Sequence, residues 1–437
     1  MNMLLVNPWI YDFKAFDYWM KPTGLLYLSS VFKKSGCRVS FIDCLDRSDA
    51  DINLKDCNFG CGKYRSFEIK KPLEYNNIPR KWQRFGISEE KFIEKCRKLQ
   101  IPDLICVTSC MTYWYPGVFK AIDILKNIFC DVPVILGGIY ATLCNKHAEL
   151  SGADMIINRF NLHDFAKELK DRFQITINIE KDLDIFNFMP DLSVYGKLNY
   201  ATLLTSRGCP YNCSYCASRI INNRFIQIDT DSVIAELKNI IENYNVRDIA
   251  IYDDALLCKA ENHFDKIFSK VIKKNISCRF HTPNGLHASL INEERAKLMF
   301  DSGFKTIKLS LESVDKDFQK ISGGKVDCWN FEKSVYNLKR AGFSGKDISA
   351  YLMIGLPDQD INEIEEGMKF INELKIKINL TQYSPIPETK LSEKIDKKYI
   401  EEPLYHNNTY WFYNNKDISI ENMRSLIIYA KLLNNQI

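Results

Sequence analysis

The chain lacks the features that would place it in several large classes. It has no apolar run near the length of a membrane span. The stretch Met1–Pro8 is too short in its apolar part for a secretory leader and reads as a first strand. Charge of one sign is not in excess: 59 Lys and Arg stand against 55 Asp and Glu, for a formal net charge of +4. That balance leaves no footprint for a nucleic-acid partner. There is no low-complexity tract and no repeat. Nor is there a second CxxC to pair with the one at Cys213 and Cys216, which argues against a closed structural zinc site. What remains is a globular protein, expected in the cytoplasm, without a membrane partner.

Cysteine, by contrast, is abundant, with fifteen in 437 residues. In a reducing compartment they are not expected to form disulfides. Three of them fall in the run Ser206-Arg207-Gly208-Cys209-Pro210-Tyr211-Asn212-Cys213-Ser214-Tyr215-Cys216, spaced CxxxCxxC. An iron–sulfur cubane needs a thiolate on each iron it closes, and short spacers let one loop wrap three corners. The fourth iron then stays open to bind a second molecule and pass it an electron. This run resembles the cluster loop of the radical S-adenosylmethionine (SAM) superfamily. The resemblance implies that Cys209, Cys213 and Cys216 hold a 4Fe–4S cluster and that the amine and carboxylate of SAM chelate the open iron. One electron then cleaves SAM to a 5′-deoxyadenosyl radical, which takes hydrogen from a substrate carbon. It also places Tyr215 at the adenine, and Gly208 where backbone must pass close to the cubane.

The fold class expected is α/β in two parts. Residues 1–175 alternate strand and helix signals, with strands at Met3–Asn7, Val39–Asp43, Leu104–Ser109, Val132–Leu136 and Met155–Asn158. That pattern predicts an open, mostly parallel, Rossmann-like sheet with helices on both faces. A polar stretch at about 51–100 interrupts it and reads as an insertion over the ligand edge. Residues 176–199 read as a linker. Alternation restarts at 200–390 with six strands, at Ala201–Ser206, Asp248–Tyr252, Cys278–Thr282, Thr306–Leu311, Ser349–Ile354 and Ile378–Gln382. Six strand–helix repeats match the partial (β/α)6 barrel of the superfamily, whose cluster loop also follows its first strand. Residues 391–437 form a C-terminal extension without a motif.

Strand ends supply the expected SAM contacts. Asp253 or Asp254, after the second barrel strand, would meet the methionyl ammonium through a charge-assisted bond. Asn284 would reach the ribose or carboxylate. His281 reads as a core or loop histidine. Alternation puts Ser310 and Glu312 on one face of the fourth strand, with Glu312 either a ligand contact or a buried structural carboxylate. Gly355, in Gly355-Leu356-Pro357, would let backbone edge the adenine. No side chain is marked out as a catalytic acid or base.

The layout is similar to the branch of the superfamily that carries an N-terminal cobalamin-binding domain. By that resemblance Ser109, Gly137 and Gly138 would line cobalamin. The histidine of the Asp-x-His-x-x-Gly motif is missing after Asp43. The implied reaction is cobalamin-dependent methyl transfer. Radical cyclisation or rearrangement, methylthiotransferase-like chemistry and a degenerate cluster-binding protein are the alternatives. The implied partners are a small-molecule or peptide substrate and an electron donor such as flavodoxin or ferredoxin. Cys57 and Cys61, with Cys44, form a second possible metal clip.

Overall fold

A computed structural model describes residues 1–49, 54, 57–180 and 183–437. Two compact units divide the chain: residues 1–198 with 402–404, and residues 199–401 with 405–437.

In the first unit, β1 (Asn2–Asn7), α1 (Thr23–Lys34), β2 (Arg38–Asp43), α2 (Glu89–Arg97), β3 (Leu104–Val107), α3 (Tyr115–Ile128), β4 (Val134–Leu136), β5 (Met155–Ile156) and α4 (Leu162–Phe173) supply a five-stranded sheet and its helices. Its order is β5-β4-β3-β1-β2, and every pairing is parallel. Alternate residues of β1 serve opposite faces. Leu4 and Val6 join a core with Phe92, Val118 and Leu125, whereas Met3 and Leu5 join one with Leu28, Phe32 and Phe165. A strand buried on both faces has no polar side, hence the unbroken Met3-Leu4-Leu5-Val6 run. The order reverses between β1 and β3, so the carboxyl ends of these strands form a topological switch point, the usual ligand crevice of such sheets.

The stretch expected as a polar insertion is different in kind. Residues 51–53, 55 and 56 lie outside the described residues. The rest carries Tyr75 and Trp82, which are fully buried and pack with Phe13 at centroid distances of 4.9 Å each. It then supplies α2, the helix that crosses from β2 to β3. The segment is therefore partly core, and its charged residues hid the aromatic anchors between them. Residues 176–199, read as a linker, pack mainly on the first unit. Asp191 accepts from Ser29 Oγ at 2.5 Å and pairs with Lys33 at 2.7 Å, and Tyr195 donates to Asp43 at 2.7 Å.

The second unit repeats strand and helix six times. The strands are β6 (Ala201–Leu203), β7 (Asp248–Ile251), β8 (Arg279–His281), β10 (Phe304–Glu312), β11 (Ile348–Ile354) and β12 (Lys377–Gln382), parallel and in sequential order. A short β9 (Leu286–His287) adds beside β10. Helices α5 (Thr230–Tyr244), α6 (Phe264–Lys273), α7 (Glu293–Ser302), α8 (Cys328–Ala341) and α9 (Ile361–Glu373) fill the crossovers, and α10 (Ile420–Asn434) packs on β12. Residues expected only as an extension thus supply the last helix. Asn434 fixes it by bonding both edges of Ile378, accepting from its N–H at 2.7 Å and donating to its carbonyl at 2.9 Å. Among the described residues no helix is long and apolar enough to cross a membrane.

Glu236 on α5 is buried with Oε1 unpartnered. Burial, helped by Asp253 nearby, pushes its carboxyl up to about 8. The folded chain therefore keeps this proton up to about pH 8, whereas the unfolded chain releases it in the ordinary carboxylate range. Between those limits the folded state binds more protons, so stability falls as pH rises. The apo protein should lose more melting temperature between pH 5 and pH 8.5 than the Glu236→Gln variant does, by at least ~3 °C. Parallel calorimetric scans check this.

Candidate functional site

The three cysteines lie in a loop closed at its base. Ser206–Arg207 pairs antiparallel with Ile226–Gln227, so residues 208–225 leave and return through one small ladder. Gly208 has φ +75°, and a Cβ there would stand 2.3 Å from the Arg224 carbonyl oxygen. The position requires glycine because the return strand passes it, a constraint internal to the loop. Arg207 Nε donates to Asn222 Oδ1 at 2.7 Å, tying the two arms again. Cys216 N–H turns back to the Cys213 carbonyl at 3.1 Å. Burial first, and then the neighbouring Cys216 and Cys213, push the Cys209 thiol up to about 12. The thiols are thus close enough to repel one another's charge, which a cationic cluster would relieve. Among the described residues no three metal-ligating side chains are already closed on one point.

The acidic pair after β7 divides its work. Asp253, 3% exposed, accepts from Thr205 N–H at 2.8 Å, from Thr205 Oγ1 at 2.7 Å and from Ser206 Oγ. Those donors follow β6, so Asp253 fastens the root of the cysteine loop to the neighbouring strand, with three of its acceptor positions taken. Burial raises its carboxyl to about 6 against these bonds. Asp254 is the member that faces the loop. Burial lifts its carboxyl, the nearby Ser218 side chain works against that, and the Asp254 charge in turn helps raise the Cys209 thiol. Asn284 donates to the carbonyls of Tyr252 at 2.9 Å and Asp253 at 3.3 Å, holding the same turn. His281 is a core histidine, wholly buried, with Nε2 at 3.1 Å from Asp248 and Nδ1 against Thr306.

Glu312 does not owe its direction to simple alternation. The β10–β11 register shifts between Ser310 and Glu312, and Glu312 has φ +68°. A bulge re-aims the side chain, and a non-glycine in the left-handed region is strained by about 1–3 kcal/mol. Its carboxylate meets Lys325 Nζ at 3.2 Å, and that ammonium also donates to Tyr215 Oη at 2.9 Å. The Lys325 side chain is only 7% exposed. Burial disfavours its charge, but Glu312 and the Cys213 and Cys216 sulfurs outweigh that and hold its pKa above the usual lysine value. Tyr215 also stacks on Phe318 at 6.2 Å. Gly323, with φ +102°, lets the chain turn beside Cys213: a Cβ would stand 3.2 Å from its sulfur. Sequence reasoning missed Lys325. Its only signal was the Gly323-Gly324 turn in front of it, which reads as an ordinary loop. Ser310 is buried against Gly285, whose absent Cβ would lie 2.3 Å from Ser310 Oγ. Gly355 has φ +81°, and its carbonyl accepts from Trp411 Nε1 at 2.6 Å and Asn415 Nδ2 at 3.1 Å. Its turn is therefore buttressed by the C-terminal segment.

At the carboxyl edge of the first unit, Ser109, Gly137 and Gly138 stand together. Ser109 Oγ donates to the Gly137 carbonyl at 2.7 Å and accepts from Ala141 N–H at 3.3 Å. A Cβ on Gly138 would meet the Ser109 carbonyl oxygen at 2.1 Å. Gly138 is thus required by Ser109, and both Ser109 hydroxyl roles are filled within the turn. The second cysteine group does not assemble as a trio. Cys57 N–H bonds the Cys61 carbonyl at 2.7 Å, and Cys61 Sγ donates to the Asn58 carbonyl. Cys44 is buried in the sheet core with Phe92 and Cys96.

The second unit is therefore a parallel strand–helix barrel whose first loop carries three thiols beside a buried lysine, glutamate and tyrosine. Residues 203–371 match the model of the Radical SAM superfamily, so this part of the chain is similar to radical SAM domains. An uncharacterized methyltransferase of Pyrococcus horikoshii is 26% identical over 333 residues, covering 69% of this chain and 71% of that protein. An anaerobic magnesium-protoporphyrin IX monomethyl ester cyclase of Cereibacter sphaeroides is 21% identical over 352 residues, covering 71% and 55%. The solved structure of the radical SAM methyltransferase TsrM from Kitasatospora setae, with cobalamin and a 4Fe–4S cluster bound, superposes with a TM-score of 0.65 at 14% identity. It covers 91% of this chain and 78% of that one.

Asp253→Ala should cost about 3 kcal/mol, because it strands the buried Thr205 N–H and two hydroxyls. Asp254→Asn should cost under about 1 kcal/mol. Denaturant unfolding of the two variants checks the division of roles.

Proposed function

We propose that this chain is a cobalamin-dependent radical SAM methyltransferase working in the cytoplasm. In this reading Cys209, Cys213 and Cys216 hold the 4Fe–4S cluster. The observation that carries it is the pinned cysteine loop, whose Tyr215 bonds the buried Lys325 that also pairs with Glu312. A loop fastened at both ends offers three sulfurs from one short segment. Lys325 beside it supplies a fixed cation for a ligand carboxylate.

Lys325 is suited to orient the methionyl carboxylate, since its ammonium is held charged in a dry site. Asp254, whose carboxylate is less engaged than that of Asp253, is the candidate for the methionyl ammonium. Tyr215 and Phe318 offer ring faces for the adenine, and Ser310 and Glu312 offer polar groups for the ribose. Asn284 and Gly355 act as positioning residues here, because their polar atoms brace the strand-end turns. When bound, the cluster and SAM supply the radical and cobalamin carries the methyl group; the protein supplies orientation and dryness.

For cobalamin, the support is the flavodoxin-like strand order and the likeness of fold to TsrM. The Gly137–Gly138 backbone edge is the candidate contact, with Ser109 shaping it. A cavity of about 330 Å³ lined by Phe41, Asp43, Asp46, Tyr195 and Lys197 opens in the same unit. The substrate is a small molecule or peptide, and electrons come singly from a flavodoxin or ferredoxin. Cyclisation without methyl transfer is the second reading, favoured by the cyclase relative's alignment over 71% of this chain.

Protein reconstituted without air should hold about four irons per chain and release 5′-deoxyadenosine from SAM with dithionite. The Cys209→Ala, Cys213→Ala, Cys216→Ala triple variant should lose both. Purification with hydroxocobalamin should leave corrin absorption bands on the protein. A product heavier by one methylene unit supports methyl transfer; a product with no added carbon favours the cyclase reading.

A further inference from the structure

One buried polar group on the inner side of the second unit has no task in this scheme. His287 lies on β9 opposite Ser310, and paired residues of neighbouring parallel strands project to the same face. It is 6% exposed, and its Nδ1 has no hydrogen-bond partner. Tyr211, from the cysteine loop, meets the imidazole edge to face with ring centroids 4.3 Å apart. Two residues further on, Ser289 Oγ donates to the Lys325 carbonyl at 2.6 Å, which ties this turn to the lysine beside the cluster loop. A buried nitrogen without a partner costs roughly 1–3 kcal/mol. A fold that keeps one between its cysteine loop and its buried lysine has a use for it.

We infer that His287 is a SAM-contacting residue, its Nδ1 hydrogen-bonding a polar group of the bound SAM molecule. This rests on the function proposed above. Burial, and then the charge on Lys325, hold the imidazole neutral, with its pKa down at about 3. A neutral ring beside a cation leaves Lys325 to take the carboxylate and His287 to take an uncharged or donating group. Its neighbours also favour SAM over the substrate. Tyr211 stands two positions from both Cys209 and Cys213, and Lys325 bonds Tyr215, so His287 belongs to the wall around the cluster loop.

Equilibrium dialysis of SAM against the reconstituted, air-free protein tests this without turnover. His287→Ala should weaken SAM binding about tenfold, in line with loss of one buried hydrogen bond, while iron content stays at the wild-type level. His287→Asn, whose amide tip falls near the Nδ1 position, should recover most of the affinity. His287→Gln, whose tip falls near Nε2, should not. Wild-type affinity in iron-replete His287→Ala overturns the inference and points to a substrate contact instead. Should His287→Ala fail to hold iron, equal affinities of the Asn and Gln variants overturn it. A wild-type protein that holds its irons yet binds no SAM sinks the proposed function, and this inference with it.

Discussion

The site depends on a single buried carboxylate. Asp253 gathers the Thr205 N–H, the Thr205 hydroxyl and the Ser206 hydroxyl, and thereby fastens the root of the cysteine loop to the strand beside it. A loop that must place three sulfurs on one cluster cannot wander at its base. The Ser206–Arg207 ladder with Ile226–Gln227 and the Gly208 turn complete the clamp. This placement lives in the packing, and its consequence lives in the chemistry: thiols held near one another at a strand's carboxyl end, ready for a metal centre.

Around that clamp the charges are arranged so that few are wasted. Lys325 is buried, yet Glu312 and the cysteine sulfurs keep it cationic. Glu312 reaches it through a register shift and a left-handed backbone. Strain of that kind persists where surrounding structure over-determines it, and it concentrates at functional sites. The two residues neutralise one another.

The large features were legible in the sequence. All six barrel strands fall where alternation placed them, to within a few residues, and the first five strands form the expected parallel sheet. The CxxxCxxC run marked the site because its meaning is carried by spacing within one loop. The misses share one cause: they depend on distant partners. Asp253 and Asp254 are adjacent and chemically alike, and only the position of Thr205 and Ser206 separates an anchor from a candidate ligand contact. Lys325 and His287 come from turns that no periodicity singles out. Gly138 owes its glycine to the Ser109 backbone beside it, a close approach that no sequence pattern shows. Tyr75 and Trp82 were lost among charged neighbours, so the buried anchors of that segment went unread.

The central claim is that the loop from Cys209 to Cys216 carries a cluster with one iron open to SAM. Electron paramagnetic resonance of the reconstituted protein, reduced without air and recorded before and after addition of SAM, tests it most directly. The account predicts the signal of a reduced 4Fe–4S cluster whose g-values shift when SAM is added. A signal that SAM leaves unmoved, or no cluster signal at all, would contradict it.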